Sequence, residues 1–281
     1  MPPGTATTVR SALSQAWPTP GHTGEYHAGM PPHLTILTGA SRGMGLAMAR
    51  QLLRPGHTLL CLSRRSNPTL AEEAAAQGAP LMQWEQDLAD TEQAAQRLRD
   101  WLRDVPQGGY ASATLINNAG VIPPIAPLSA SAAADLAMAL RVGLEAPMLL
   151  CAAFLGATEG WGVPRKVLNI SSGLGRRPMA SQAAYCAAKA GMDHFTRCMA
   201  LDEERKPHGA RVCSLAPGVI DTDMQVQLRA AHPDAFPDVQ NFAQLQSSGM
   251  LSSAPDAAAR VLAWLQRPDF GAQPVADVRD A

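Results

Sequence analysis

Short apolar runs recur along the chain, and each is followed by a stretch whose apolar positions return every three or four residues. The runs at 33–38, 57–63, 81–84, 115–116, 166–170 and 211–215 have the length and composition of buried strands. The stretches at 46–53, 70–76, 92–102, 131–154, 183–201 and 257–265 carry helical periodicity, and 271–278 reads as a last strand or a tail. Strands that alternate with helices and are apolar on both faces predict an α/β fold: a doubly wound parallel sheet covered by helices on each side. The stretch 131–154 is rich in Ala, Leu and Met with few charges, so one face is expected to pack on a partner helix or a second subunit. Residues 223–250 look irregular and polar and are a candidate lid over a substrate. Residues 1–32 are rich in Pro, Gly, Thr and Ala without periodicity and are expected to be a disordered tail, leaving one domain over 33–281. The tail lacks the apolar core of a signal peptide, and Arg10 alone is too little charge for a transit peptide. Met30, just before the first strand, is an expected natural start.

Composition narrows the function. The 281 residues are 46% hydrophobic and 17% charged, with a net charge of −1, so no basic face for nucleic acid is expected. No uninterrupted apolar run of about 18 residues stands out, so no membrane span is expected. The five cysteines, Cys61, Cys151, Cys186, Cys198 and Cys213, are scattered, odd in number and without metal-ligand spacing. They read as reduced thiols of a cytoplasmic chain, with no metal site.

Three stretches carry chemistry. Thr38-Gly39-Ala40-Ser41-Arg42-Gly43-Met44-Gly45 lies between a strand and a helix. Its glycines permit close backbone approach, and the following helix N-terminus offers free N–H groups to a phosphate. The second strand ends in Ser63-Arg64-Arg65 with no carboxylate nearby in sequence. Arg42 and Arg64 together therefore suit a ribose 2′-phosphate, pointing to NADP over NAD. Finally, Tyr185 and Lys189 stand one helical turn apart, and Ser172 lies at the end of an apolar strand. An ammonium beside a phenol is expected to lower the phenol's pKa toward the range useful for proton transfer.

The phrases TGASRGMG, NNAG, SS-to-YxxxK and APGxxxT, in that order, resemble the short-chain dehydrogenase/reductase family over residues 34–278. The APGVIDTDMQ phrase and Ser248-Gly249-Met250-Leu251 resemble the sepiapterin reductase and benzil reductase branch. The resemblance implies a Rossmann-type fold and NADPH-dependent reduction of a carbonyl, in a diketone- or pterin-like substrate. It assigns Tyr185 as general acid, Lys189 as the group that tunes Tyr185 and holds the nicotinamide ribose, and Ser172 as the donor that polarises the carbonyl. It assigns the cofactor to Gly39, Ser41, Arg42, Gly43, Met44, Gly45, Arg64, Asp87, Leu88, Asn118, Ala119, Gly120, Tyr185, Lys189, Pro217, Gly218, Val219 and Thr222. It further implies a homodimer or homotetramer built on the helices at 131–154 and 183–201. Gly143 stands where the family usually has an asparagine that helps hold a relay water behind the lysine. That departure motivates an alternative, a non-catalytic NADP-binding regulator. Asp277 stands in the register of an aspartate that grips the amino-pyrimidine of a pterin in the sepiapterin reductase branch, with Arg279 close enough in sequence to neutralise it.

Overall fold

The computed structural model describes residues 31–106, 108–233, 236–249 and 251–280. The expectations about the tail and Met30 as a start, and the Met250 of the branch-specific phrase, lie outside the described residues. Pro31–Ala281 forms one compact unit. Its first described residues are already tied in, since the Pro32 carbonyl accepts the Ala111 N–H at 2.8 Å.

Among the described residues seven strands pair in parallel: β1 (His33–Thr38), β2 (His57–Ser63), β3 (Leu81–Glu85), β4 (Ser112–Asn117), β5 (Arg165–Ile170), β6 (Arg211–Ala216) and β7 (Val275–Asp277). Their spatial order is β3-β2-β1-β4-β5-β6-β7. The chain thus winds outward to β3, returns across the sheet to β4 and winds out the other way. This is the Rossmann-type doubly wound arrangement, with its topological switch between β1 and β4. Side chains alternate across each strand. Leu37, Leu59, Cys61, Ile116, Leu168, Cys213 and Leu215 join one core with helices α1 (Gly43–Leu52), α2 (Pro68–Ala76) and α9 (Ala254–Gln266). The alternate residues, among them Ile36, Leu60, Leu115 and Val167, are also buried. They belong to the face served by α3 (Thr91–Arg103), α5 (Ala146–Thr158) and α6 (Ala183–Glu204).

Three expectations need correction. The stretch 131–154 is not one regular helix: α4 (Ala133–Leu140) runs through a π turn (Arg141–Glu145) into α5. By length and composition this continuous segment, Ala133–Trp161, is apolar enough to cross a bilayer, which the expectation of no such run overlooked. Half of its most apolar stretch is buried, and α5 packs against α3. Residues 223–250 are also more ordered than their polarity implied. They form α7 (Asp223–Arg229) and α8 (Val239–Ser247) around a small core of Leu228, Phe236, Val239 and Phe242. Four apolar side chains spread over that length are too sparse to show as periodicity. They cohere because Ile122, Ile125, Met179 and Met224 pack against them.

Candidate active site

The sheet's C-terminal edge holds the candidate residues. At the end of β1, Gly39 has φ +70° and Gly43 φ +56°, conformations that side chains with a Cβ rarely adopt. A Cβ on Gly45 would lie 2.1 Å from the Gly39 carbonyl oxygen, and one on Gly39 2.9 Å from Ala119 Cα. The turn is therefore a backbone-lined cradle that only glycine permits. Thr38 Oγ1 accepts the N–H groups of Asn118 and Ala119 at 2.9 and 3.0 Å, and Asn118 Nδ2 donates to the Thr38 and Gly39 carbonyls. Asn118 thus fastens the switch point between β1 and β4. The α1 first turn carries no acidic residue to compete for an anion.

The arginines are placed differently from one another. Arg64 is exposed just past β2. Arg42 is exposed beside the cradle, where it pairs with the Asp223 carboxylate at the start of α7. Ser41 gives its carbonyl to Asn67 Nδ2, and Met44 is buried in the core. Although no carboxylate follows β2 in sequence, the sheet brings Glu85 from β3 beside this loop. The Ser66 N–H and hydroxyl both donate to it, at 3.1 and 3.0 Å, and hold it below the usual carboxylate range. Asp87 Oδ1 accepts the Ala89 N–H at 2.9 Å, and the Leu88 side chain is buried. Gly218, at φ +84°, turns the 217–222 loop, which is held by hydrogen bonds between Ser252 and both Val219 and Asp221. Thr222 Cγ2 lies 4.0 Å from where a Gly43 Cβ would stand, so this loop faces the cradle.

Ser172, Tyr185 and Lys189 meet two strands further along. Tyr185 and Lys189 lie on the buried face of α6, and Ser172 caps the short turn Gly173–Gly175 beyond β5. The Tyr185 hydroxyl donates to Met224 Sδ at 3.9 Å, and Ser172 lies near enough to pull on the phenol's proton affinity. Lys189 Nζ donates to the Ile170 carbonyl at 2.7 Å and stands 5.8 Å from the Tyr185 ring centre. Burial outweighs every other influence on both groups. It pushes the phenol up to about 12, against the pull of Ser172, and draws the ammonium down to about 8, against the pull of Asp193. The expected lowering of the phenol by Lys189 is therefore not what the geometry delivers. The phenol stays protonated near neutrality, which is the form a proton donor needs.

Gly143 lies in the π turn, where an added Cβ would stand 3.0 Å from Ala188 Cβ, next to Lys189. The helix pair approaches too closely there for an unshifted side chain. Asp277 is buried at the end of β7 and gripped by Arg279, whose Nε and Nη2 donate to its two oxygens at 2.8 and 2.5 Å. Arg279 keeps it below the usual carboxylate range. Among the thiols, Cys61, Cys151 and Cys213 are free, buried and pushed up to about 12 by burial. Among the described residues no cluster of His, Cys, Asp or Glu suits a metal ion.

The family model for short chain dehydrogenase matches residues 33–233. The chain is 33% identical to benzil reductase ((S)-benzoin forming) of Bacillus cereus, over 84% of this chain and 94% of that one. It is 34% identical to sepiapterin reductase of Rattus norvegicus, over 84% and 92%. A solved metagenomic short-chain oxidoreductase in complex with NADP superposes with a TM-score of 0.66 at 25% identity, covering 88% of this chain and 96% of that one. The chain belongs to the short-chain dehydrogenase/reductase family, in the branch of the benzil and sepiapterin reductases, and is an oxidoreductase.

Proposed function

We propose that this protein is an NADPH-dependent reductase of apolar vicinal diketones, with Ser172, Tyr185 and Lys189 as its catalytic residues. The observation that carries the reading is the buried Tyr185 phenol with Lys189 one turn on along the same buried helix face, 5.8 Å from its ring, and with Ser172 beside it. The glycine-only cradle fits a dinucleotide pyrophosphate, Arg64 and Arg42 fit a 2′-phosphate, and the 217–222 loop fits the nicotinamide end. When bound, NADPH supplies the hydride. Ser172 orients a substrate carbonyl and stabilises charge developing on its oxygen. Tyr185 gives that oxygen its proton. Lys189, kept in place by the Ile170 carbonyl, holds the nearby positive charge that favours the departing phenol proton.

The substrate reading leans toward the benzil reductases on two features of this chain. Met224 of the 223–250 segment puts an apolar thioether 3.9 Å from the Tyr185 hydroxyl. Asp277, which an amino-pyrimidine would need free, is already held bidentately by Arg279. The free thiols support a cytoplasmic setting, and the helices around the π turn support a homodimer or homotetramer. NADPH consumption measured with benzil, a pterin, a quinone and a simple ketone, each repeated with NADH, tests the reading; no turnover of any diketone overturns it. Gly143 alone favours the second reading, a non-catalytic NADP-binding regulator, which predicts NADPH binding without consumption on the same panel.

A further inference from the structure

Asp193 lies one turn beyond Lys189, so Tyr185, Lys189 and Asp193 follow one another at i, i+4 and i+8 on the buried face of α6. The carboxylate is 2% exposed. Its Oδ1 accepts the Ser214 hydroxyl of β6 at 2.6 Å, and its Oδ2 accepts Arg176 Nε at 3.1 Å. Arg176 leaves the short turn that Ser172 caps and reaches on to the Ala276 carbonyl of β7 at 2.7 Å. The turn itself is pressed onto α6: a Cβ on Gly175 would stand 2.9 Å from the Lys189 carbonyl oxygen and 3.1 Å from Asp193 Oδ2. The Gly175 N–H donates to the Ser172 carbonyl at 2.9 Å, closing the path from Asp193 to Ser172.

We infer that Asp193 is a positioning residue of the active site, a buried carboxylate that ties the Ser172 turn to the Tyr185 helix one turn beyond Lys189. This rests on the catalytic assignment proposed above and extends it. A buried carboxylate with hydroxyl and guanidinium partners costs far less to keep than an unpaired one. Its charge acts on the ammonium one turn away, opposing the burial that draws Lys189 down. Around the Lys189 ammonium the other elements contribute Gly120 and the Ile170 carbonyl, both uncharged, and its own helix contributes Met192 and the titratable Tyr185. Around Asp193 stand Arg176 and Cys213, and Asp277 with Arg279 lies beyond Arg176.

The test uses the full chain with Asp193→Asn and Arg176→Gln. Amide hydrogen exchange of residues 172–177, measured without cofactor or substrate, should quicken about tenfold in both variants. The kcat for benzil with saturating NADPH is then followed from pH 6 to pH 9. Asp193→Asn moves the alkaline limb to lower pH, and a limb displaced by about one unit raises the ratio of kcat at pH 6 to that at pH 9 by about tenfold. Arg176→Gln leaves the carboxylate less compensated and moves the limb the other way. A wild-type pH ratio in Asp193→Asn, or unaltered exchange at 172–177 in both variants, overturns the inference. If Asp193→Asn does not fold, Arg176→Gln decides it by the direction of its limb. Failure of the wild-type chain to reduce any diketone would instead overturn the catalytic assignment, and the exchange measurement would still judge the tether.

Discussion

At the scale of single residues, the candidate site holds two groups whose proton affinities burial has pushed in opposite directions. Tyr185 holds its proton until about 12 and Lys189 gives its proton up near 8. In the proposed mechanism the phenol acts on the substrate oxygen, so Tyr185→Phe is expected to lower kcat by about 10²–10⁴-fold. NADPH binding, measured by fluorescence titration, should stay within a few fold, and retained turnover would remove the phenol from the mechanism. The arginines make the second prediction. Arg64 is exposed at the mouth of the cradle, whereas Arg42 is shared with Asp223, so Arg64 is expected to carry more of the 2′-phosphate recognition. Arg64→Asp should lower kcat/KM for NADPH at least tenfold and raise it for NADH; an unchanged NADPH to NADH ratio would assign the phosphate elsewhere.

At the scale of elements, the π turn between α4 and α5 is the unusual feature. One extra residue in the turn is accommodated beside α6, and at Gly143 the two helices come close enough that an added Cβ would stand 3.0 Å from Ala188 Cβ. Putting back the side chain usual in the family forces Ala188, and with it the backbone next to Lys189, to move. Gly143→Asn is therefore expected to destabilise the fold by roughly 1–3 kcal/mol, as overpacked sites do, and to lower activity rather than restore it. Thermal unfolding and benzil turnover check both halves, and a variant that is as stable and faster would mean the helices have room to spare. The lid teaches the reverse lesson. Its polar sequence hides a core whose stability comes from side chains on the loops after β4 and β5, so its order is a property of the assembled site.

At the scale of the whole molecule, stability should depend on acid through a residue far from catalysis. His57 is buried on β2 with Nε2 2.9 Å from Thr35 Oγ1, and its Nδ1 is buried with no hydrogen-bond partner. Burial lowers it from 6.5 to about 4, with Arg54 and His33 adding repulsion. The unfolded chain therefore takes up a proton that the folded chain refuses. Its stabilising contribution is complete above about pH 6.5 and is lost progressively as pH falls to about 4, a change of about 3 kcal/mol when complete. Denaturant midpoints across that range should fall less steeply in His57→Gln, and equal slopes would assign the acid sensitivity to other groups. Assembly is the other whole-molecule prediction. Met138, Leu140, Met148 and Leu201 are exposed on α4, the α4–α5 segment and α6, an apolar surface that pairing with a second copy would cover. Light scattering at micromolar concentration should return a dimer or tetramer, and a monomer would contradict it.

The sequence by itself determined the sheet, because strands buried on both faces must be continuous apolar runs and helices between them must carry one apolar stripe. It also determined the glycine cradle, where the backbone allows no other residue, and the Tyr185–Lys189 pairing, which helical spacing makes local. Only the tertiary structure decided what depends on distant residues meeting. It brought Glu85 beside the loop after β2, closed Arg42 on Asp223, and gathered the lid core around Met224. It placed Asp193 between Ser214 and Arg176. It also reversed the expected direction of the Tyr185 shift, since how far a phenol is removed from water depends on packing by elements remote in the chain.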